Sequence, residues 1–171
     1  LVGQDNSGKD LVMHQIKVLY AEGYYSPEDR MKFRDAVRST VRLLIHAMID
    51  LLKDTGIHLP KTLNHDFAIL LDEVELVDMH HITTEAAAAV QNLWFSTEFS
   101  STYLKNFEID FPQYSPYFAQ EIQRITTEDY IPTEGDIIRL NQSIGGIKEL
   151  RFNWDELDVH LFNINRYIPD Q

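Results

Sequence analysis

The chain is expected to be mainly α, a helical bundle set inside part of a phosphate-loop α/β domain. Three observations lead there. Apolar residues recur at three- and four-residue steps over most of residues 26–138. Gly3-x4-Gly8-Lys9 stands between an apolar dipeptide and a helical pattern. Beyond Gly145-Gly146 the hydrophobic period falls to two.

Leu1-Val2-Gly3 reads as the end of a buried strand whose start lies upstream, and Gly3-Gln4-Asp5-Asn6-Ser7-Gly8 as a turn. Leu11, Met13, Ile16, Val18 and Leu19 then support a helix of about three turns. Ser26-Pro27-Glu28-Asp29 is a helix start: a Ser cap, Pro where no N–H is needed, and acids at the positive end. From it Val37, Val41, Leu44, Ile45, Met48, Leu51 and Leu52 predict one long amphipathic helix ending near Thr55-Gly56. Arg30, Lys32, Arg34, Asp35, Arg38 and Arg42 form its polar face. Further helices are expected from about Asp66 to Val77 and from a Thr83 or Thr84 cap through the alanine run to Phe95. Two more should start at Ser115-Pro116 and, briefly, at Thr133-Glu134-Gly135-Asp136, giving a bundle of about five helices. Leu150, Phe152 and Trp154, then Val159, Leu161 and Phe162, predict a hairpin turning at Asp155-Glu156.

The 171 residues carry 15 Lys+Arg against 27 Asp+Glu, a net charge of −12, and no cysteine. A disulfide framework, a thiolate zinc site and a cysteine nucleophile are thereby excluded. So acidic a chain argues against nucleic acid as a partner, since a phosphate backbone selects clustered Lys and Arg. No apolar run reaches the roughly 18 residues of a membrane span. The composition is that of a soluble intracellular protein with a sizeable core.

Gly3-x4-Gly8-Lys9 has phosphate-loop spacing. Its glycines let the backbone wrap a phosphate, its N–H groups point inward, and Lys9 supplies charge. Position 10 breaks the pattern. A Ser or Thr hydroxyl is needed there to ligate Mg²⁺, and Asp10 instead adds negative charge beside anionic phosphates, as Asp5 does within the loop.

Several runs resemble the alpha subunit of heterotrimeric G proteins. Ser7-Gly8-Lys9 with His14-Gln15-Ile16-Lys17-Val18-Leu19 is similar to that family's loop and first helix. Glu22-Gly23-Tyr24-Tyr25-Ser26 resembles the linker into its helical domain, and Asn92-Leu93-Trp94 a recurrent helix within it. Tyr130 through Arg139, reading YIPTEGDIIR, is similar to the second linker, and Gly146-Ile147-Lys148-Glu149 to the end of switch I. The resemblance implies a partial Ras-like domain at 1–23, comprising strand end, loop and first helix. It implies an all-helical domain at 24–132, then a linker helix, a degenerate switch I and two Ras-like strands at 133–171.

The family's chemistry is where the chain departs. The resemblance places nucleotide contacts at Gly3, Asp5, Asn6, Ser7, Gly8, Lys9, Asp10 and Arg139. Its catalytic arginine falls on Asn141, the glutamate orienting that arginine on Asn6, and its Mg²⁺-ligating threonine on Ile144. Asn lacks the bidentate cation, and Ile cannot ligate a metal. After Phe162, Asn163-Ile164-Asn165-Arg166-Tyr167 stands where the family has its Gly-Gly-Gln. GTP or GDP and Mg²⁺ are the cofactors implied, and these substitutions count against both. The expected function is a G-protein alpha-subunit-like signal transducer with impaired GTP hydrolysis, acting mainly through protein partners. The alternative is a working but slow GTP-binding switch. Beta–gamma and a receptor or effector are the partners implied, and the location is the cytoplasm, with peripheral attachment at the inner face of the plasma membrane as a further option.

Other features read more simply. His80-His81 lacks a third ligand at helical spacing. Asp72, Glu73, Glu75 and Asp78 read as a solvated face, and the aromatic run from Phe107 to Phe118 as core. Asn141-Gln142-Ser143 matches a glycosylation acceptor but lacks a secretory context.

Overall fold

The computed structural model describes residues 8–20, 26–75, 82–106, 109–140 and 146–165. Among these residues it is mostly helical, with one two-stranded sheet. The chain separates into two compact units, one of Leu1–Arg30 with Asn141–Gln171 and one of Met31–Leu140. The strand expected at Leu1-Val2-Gly3 lies outside the described residues.

In the first unit, helix α1 (Lys9–Tyr20) faces a hairpin of β1 (Gly146–Trp154) and β2 (Leu157–Asn165). The strands are antiparallel, with Leu150 opposite Leu161, Phe152 opposite Val159 and Trp154 opposite Leu157. Asp155-Glu156 makes the turn as expected, with Asp155 at φ 53°, a left-handed value that a short polar side chain tolerates. Met13, Leu150 and Phe152 are buried together, with Ile16, Val159 and Leu161 packed against them. Phe162 is exposed, because the two-residue pleat turns it away from Leu161.

The second unit is built on α3 (Arg34–Thr55). Val37, Val41, Leu44, Ile45 and Met48 are fully or almost fully buried along one stripe. The single helix expected from Ser26 is in fact two. Helix α2 (Pro27–Met31) is one short turn, followed by turn residues at Lys32-Phe33. The Ser26 cap is real, its Oγ accepting from Asp29 N at 3.1 Å. Yet α2 buries no residue, so no packing holds it in line with α3, and capping alone sustains only a turn.

Helix α3 ends at Gly56, which sits at φ 56° and donates its N–H to Leu52 O at 3.2 Å. A Cβ there would meet nothing within 4 Å. The Gly56→Ala variant should therefore lose only the backbone cost of a left-handed residue, about 1–2 kcal/mol. Chemical denaturation of the two proteins measures it, and equal midpoints would refute the assignment.

Helix α4 (Lys61–Glu75) starts five residues before the expected Asp66. Pro60 O accepts Asn64 N, and Leu59 is buried just ahead, so the chain is already anchored there. Helix α5 (Thr84–Trp94) opens at Thr83, whose Oγ1 accepts Ala86 N at 3.1 Å. Ala86, Ala87 and Ala89 are buried, the small side chains letting α4 and α7 approach closely.

Glu73 contradicts the solvated face expected of its stretch. It is buried, accepting from the Thr83 hydroxyl at 2.6 Å and from Thr83 N at 3.2 Å, and so ties α4 to the start of α5. Asp72 is exposed, while Asp78, His80 and His81 lie outside the described residues.

Helix α6 (Thr97–Tyr103) is an addition to the expected set, although Ser96 caps it through Phe99 N. Helices α7 (Ser115–Ile125) and α8 (Glu134–Ile138) begin where Ser115-Pro116 and Thr133 indicate. Phe118, Ala119, Ile122 and Ile125 of α7 join the α3 core. Arg34 and Arg38, expected in solvent, donate instead to the carbonyls of Glu128 and Thr127 beyond the end of α7, Arg38 at 2.9 Å. Both carbonyls belong to the turn that follows α7, and Thr127 O also accepts Tyr130 N at 3.2 Å, so the two arginines tie α3 to that turn. Among the described residues no helix is long and apolar enough to cross a membrane.

Candidate functional site

Gly8 sits immediately ahead of α1 with φ +83°, a conformation favoured only by glycine. Its carbonyl accepts Val12 N at 2.9 Å, so Gly8 closes the loop and starts the first helical turn in one residue. Lys9 is the first helical residue, and its side chain is buried. A left-handed glycine leading into a helix N-terminus with a lysine beside it is the backbone geometry that the downstream half of a phosphate loop requires.

Of the other expected contacts, Gly3, Asp5, Asn6 and Ser7 lie outside the described residues, as do Asn141 and Ile144. The backbone of Asp10 lies in the first turn of α1, and its side chain is not among those described. Arg139 lies in the helical unit, whereas Gly8 and Lys9 lie in the other.

Arg139 caps the C-terminus of α8. Its guanidinium carbon lies 4.2 Å from the centroid of the Tyr117 ring and 6.0 Å from that of Tyr114. Its Nη1 donates to Gly135 O at 2.8 Å. Tyr114 holds a left-handed backbone, φ 64°, at the start of α7.

Beneath Arg139 lies a cluster that the sequence does not disclose. Asp136 is fully buried. Its Oδ1 accepts from Tyr117 Oη at 2.7 Å and Arg124 Nη2 at 2.8 Å. Its Oδ2 accepts from Arg124 Nη1 at 3.0 Å, Tyr130 Oη at 2.8 Å and Thr133 N at 2.7 Å. Burial pushes the Asp136 carboxyl up, but bonds from Arg124, Tyr117, Thr133 N and Tyr130 outweigh it and hold it at about 2. Tyr130 is driven upward by burial and by the charge of Asp136. Arg124, bonded to Asp136, is raised despite its own burial and also pairs with Glu121 at 2.9 Å. The one sequence signal is Thr133-x-x-Asp136, which forms a complete capping box. Nothing local marks Tyr117 or Arg124 as partners.

Comparison with known proteins gives the family. The family model described as G-protein alpha subunit matches residues 1–166. The chain is 27% identical over 167 residues to a guanine nucleotide-binding protein subunit alpha of Cryptococcus neoformans, covering 96% of this chain and 38% of the relative. It is 27% identical over 168 residues to a G(o) subunit alpha of Manduca sexta, covering 97% and 47%. A subunit alpha-15 of Oryctolagus cuniculus is 26% identical over 164 residues, covering 96% and 44%. The chain thus spans less than half the length of these relatives. With the match running through the loop, the helical unit and the hairpin, the chain belongs to the G-protein alpha subunit family.

Proposed function

We propose that this chain is the helical domain of a G-protein alpha subunit set within part of a Ras-like domain, and that it transduces signals with an impaired guanine-nucleotide site. The carrying observation is a coincident set of substitutions: Asp10 for the Mg²⁺ hydroxyl, Ile144 for the second hydroxyl, and Asn141 for the arginine finger. A polyphosphate fits what remains, because Gly8 keeps its left-handed turn and Lys9 opens the helix. Mg²⁺ fits poorly: the Ile144 side chain offers no lone pair, and the Asp10 carboxylate, able in isolation to ligate Mg²⁺, sets negative charge beside the phosphates to be neutralised. Hydrolysis should then be slow or absent, and signalling should run through protein contacts. Beta–gamma and a receptor or effector at the cytoplasmic face of the plasma membrane are the partners this reading supplies.

The retained Gly8–Lys9 geometry also supports a second reading, a slow but functional GTP switch. One assay separates them. The protein is purified with and without Mg²⁺ and denatured, and the released nucleotide is resolved by ion exchange. Substoichiometric nucleotide, indifferent to Mg²⁺ and increased by Asp10→Ser combined with Ile144→Thr, is the expected result. Stoichiometric guanine nucleotide retained only with Mg²⁺ would establish the switch instead.

A further inference from the structure

We propose that Thr127 is a phosphorylation site and that Arg34 and Arg38 of α3 receive the phosphate. All three residues lie in the helical unit, so the site is independent of the phosphate loop and of the function proposed for it.

Thr127 lies in the turn after α7 and is exposed, as are Glu128 and Asp129 that follow it. Its Oγ1 donates to Arg124 O at 3.0 Å, the one printed bond holding the hydroxyl at the helix end. Thr126 is half-buried, with its Oγ1 on Gln123 O at 3.1 Å, and so is the poorer acceptor. An exposed hydroxyl followed directly by two carboxylates fits a kinase whose substrate groove is basic.

The receiving side is already in place. Arg34 and Arg38 stand one turn apart on α3 and share a face. Arg38 Nη2 donates to Thr127 O at 2.9 Å, and Arg34 Nη2 donates to Glu128 O. Two full cations are thus set against neutral carbonyls of one turn. Arg34 Nε is enclosed and has no acceptor among the described residues. Burial, and next the charge of Arg34, hold the Arg38 guanidinium below its ordinary value, with Asp35 offsetting part. An anion between the two arginines relieves that repulsion.

The reaction moves the γ-phosphoryl group of a nucleoside triphosphate to Thr127. A P–O bond forms at Oγ1, the bond to the leaving diphosphate breaks, and the hydroxyl proton passes to the kinase's base. The product carries close to two negative charges and three acceptor oxygens. It loses the bond to Arg124 O and faces the negative end of α7, worth about half an elementary charge. Two guanidiniums already touching the same turn outweigh that, because each supplies charge-assisted bonds. The modified residue then clamps α3 to the turn. Thr127 O also accepts Tyr130 N, and Tyr130 bonds Asp136 at 2.8 Å, so the clamp reaches the segment leading into α8.

Two measurements test this. The purified chain is incubated with ATP, Mg²⁺ and casein kinase 2, an acid-directed enzyme, and the phosphate is located by fragmentation mass spectrometry. Wild type should be modified at Thr127 and Thr127→Val left unmodified there. Phosphate confined to Thr126, or none, overturns the site. Separately, phosphothreonine is installed at position 127 during translation and thermal unfolding is followed. The melting temperature of the helical unit should rise by about 4 °C or more, and the rise should shrink at high salt. The rise should also fall by half or more when phosphothreonine is combined with Arg34→Gln or Arg38→Gln, each compared with its own unmodified form. An unchanged or lowered melting temperature in the wild-type background overturns the clamp, as does a rise indifferent to salt or to both arginine substitutions.

Discussion

Replacing Asp136 by Asn should destabilise the helical unit by about 3 kcal/mol or more, the cost of breaking a buried ion pair by removing one partner. The substitution keeps the shape, so the loss is purely chemical. Asp136 accepts five hydrogen bonds, two at Oδ1 and three at Oδ2. An amide has one acceptor oxygen, and either orientation points its NH₂ at two or three donors. Arg124, partly exposed, can turn toward Glu121 and water, which keeps the loss near the lower end of the range. Thermal unfolding should show the helical transition falling by about 10 °C.

The same carboxylate sets an acid dependence. Its folded value of about 2 lies below the ordinary 3.8, so its contribution is complete above about pH 4 and is lost as pH falls toward 2. The amide introduced by Asp136→Asn cannot titrate, so the melting temperature of that variant should vary less over the same window. An equal slope in both proteins would remove Asp136 as the cause.

Phe99→Ala should cost about 3–5 kcal/mol, the range for deleting a buried aromatic ring. Phe99 is fully buried among Trp94, Tyr103 and Phe111, with ring centroids 5.3, 6.4 and 6.4 Å away. These rings come from α5, α6 and the segment before α7, so one cavity loosens three pieces of chain. Phe95, four residues earlier, is 64% exposed and provides the internal control. Phe95→Ala should change stability by less than about 0.5 kcal/mol. Equal losses in the two variants would show that the aromatic cluster is not core.

The elements legible in the sequence are those whose signals are local. Thr83, Thr133 and Gly56 mark helix ends because caps act over three or four residues, and Pro116 marks the first turn of α7, where no N–H is needed. The hairpin is legible because Asp155-Glu156 interrupts a period of two and fixes its own register. Helix α6 escapes notice because seven residues with one buried side chain carry too little period. The pattern from Ser26 to Thr55 overstates the length of one helix, because a cap and a Pro do not reveal that the next turn buries nothing. Arg139 follows from the resemblance, but its stacking on Tyr117 has no local signal. The core reading of the aromatic run holds for Phe111 and Phe118 but not for Tyr114, which is 41% exposed.

By itself the sequence determined the amphipathic stripe of α3, the hairpin, the family's residue pattern and which residues stand at positions 10, 141 and 144. Tertiary structure alone decided that Asp136 is the centre of five hydrogen bonds, that Glu73 is buried rather than solvated, and that Arg34 and Arg38 hold the turn after α7. The division has a physical basis. Periodicity, caps and turns act between residues a few positions apart, whereas Tyr117 and Asp136 meet across 19 positions and Arg38 and Thr127 across 89. Which distant donor reaches which acceptor depends on the path of the backbone between them, and that path is set by how the buried faces pack.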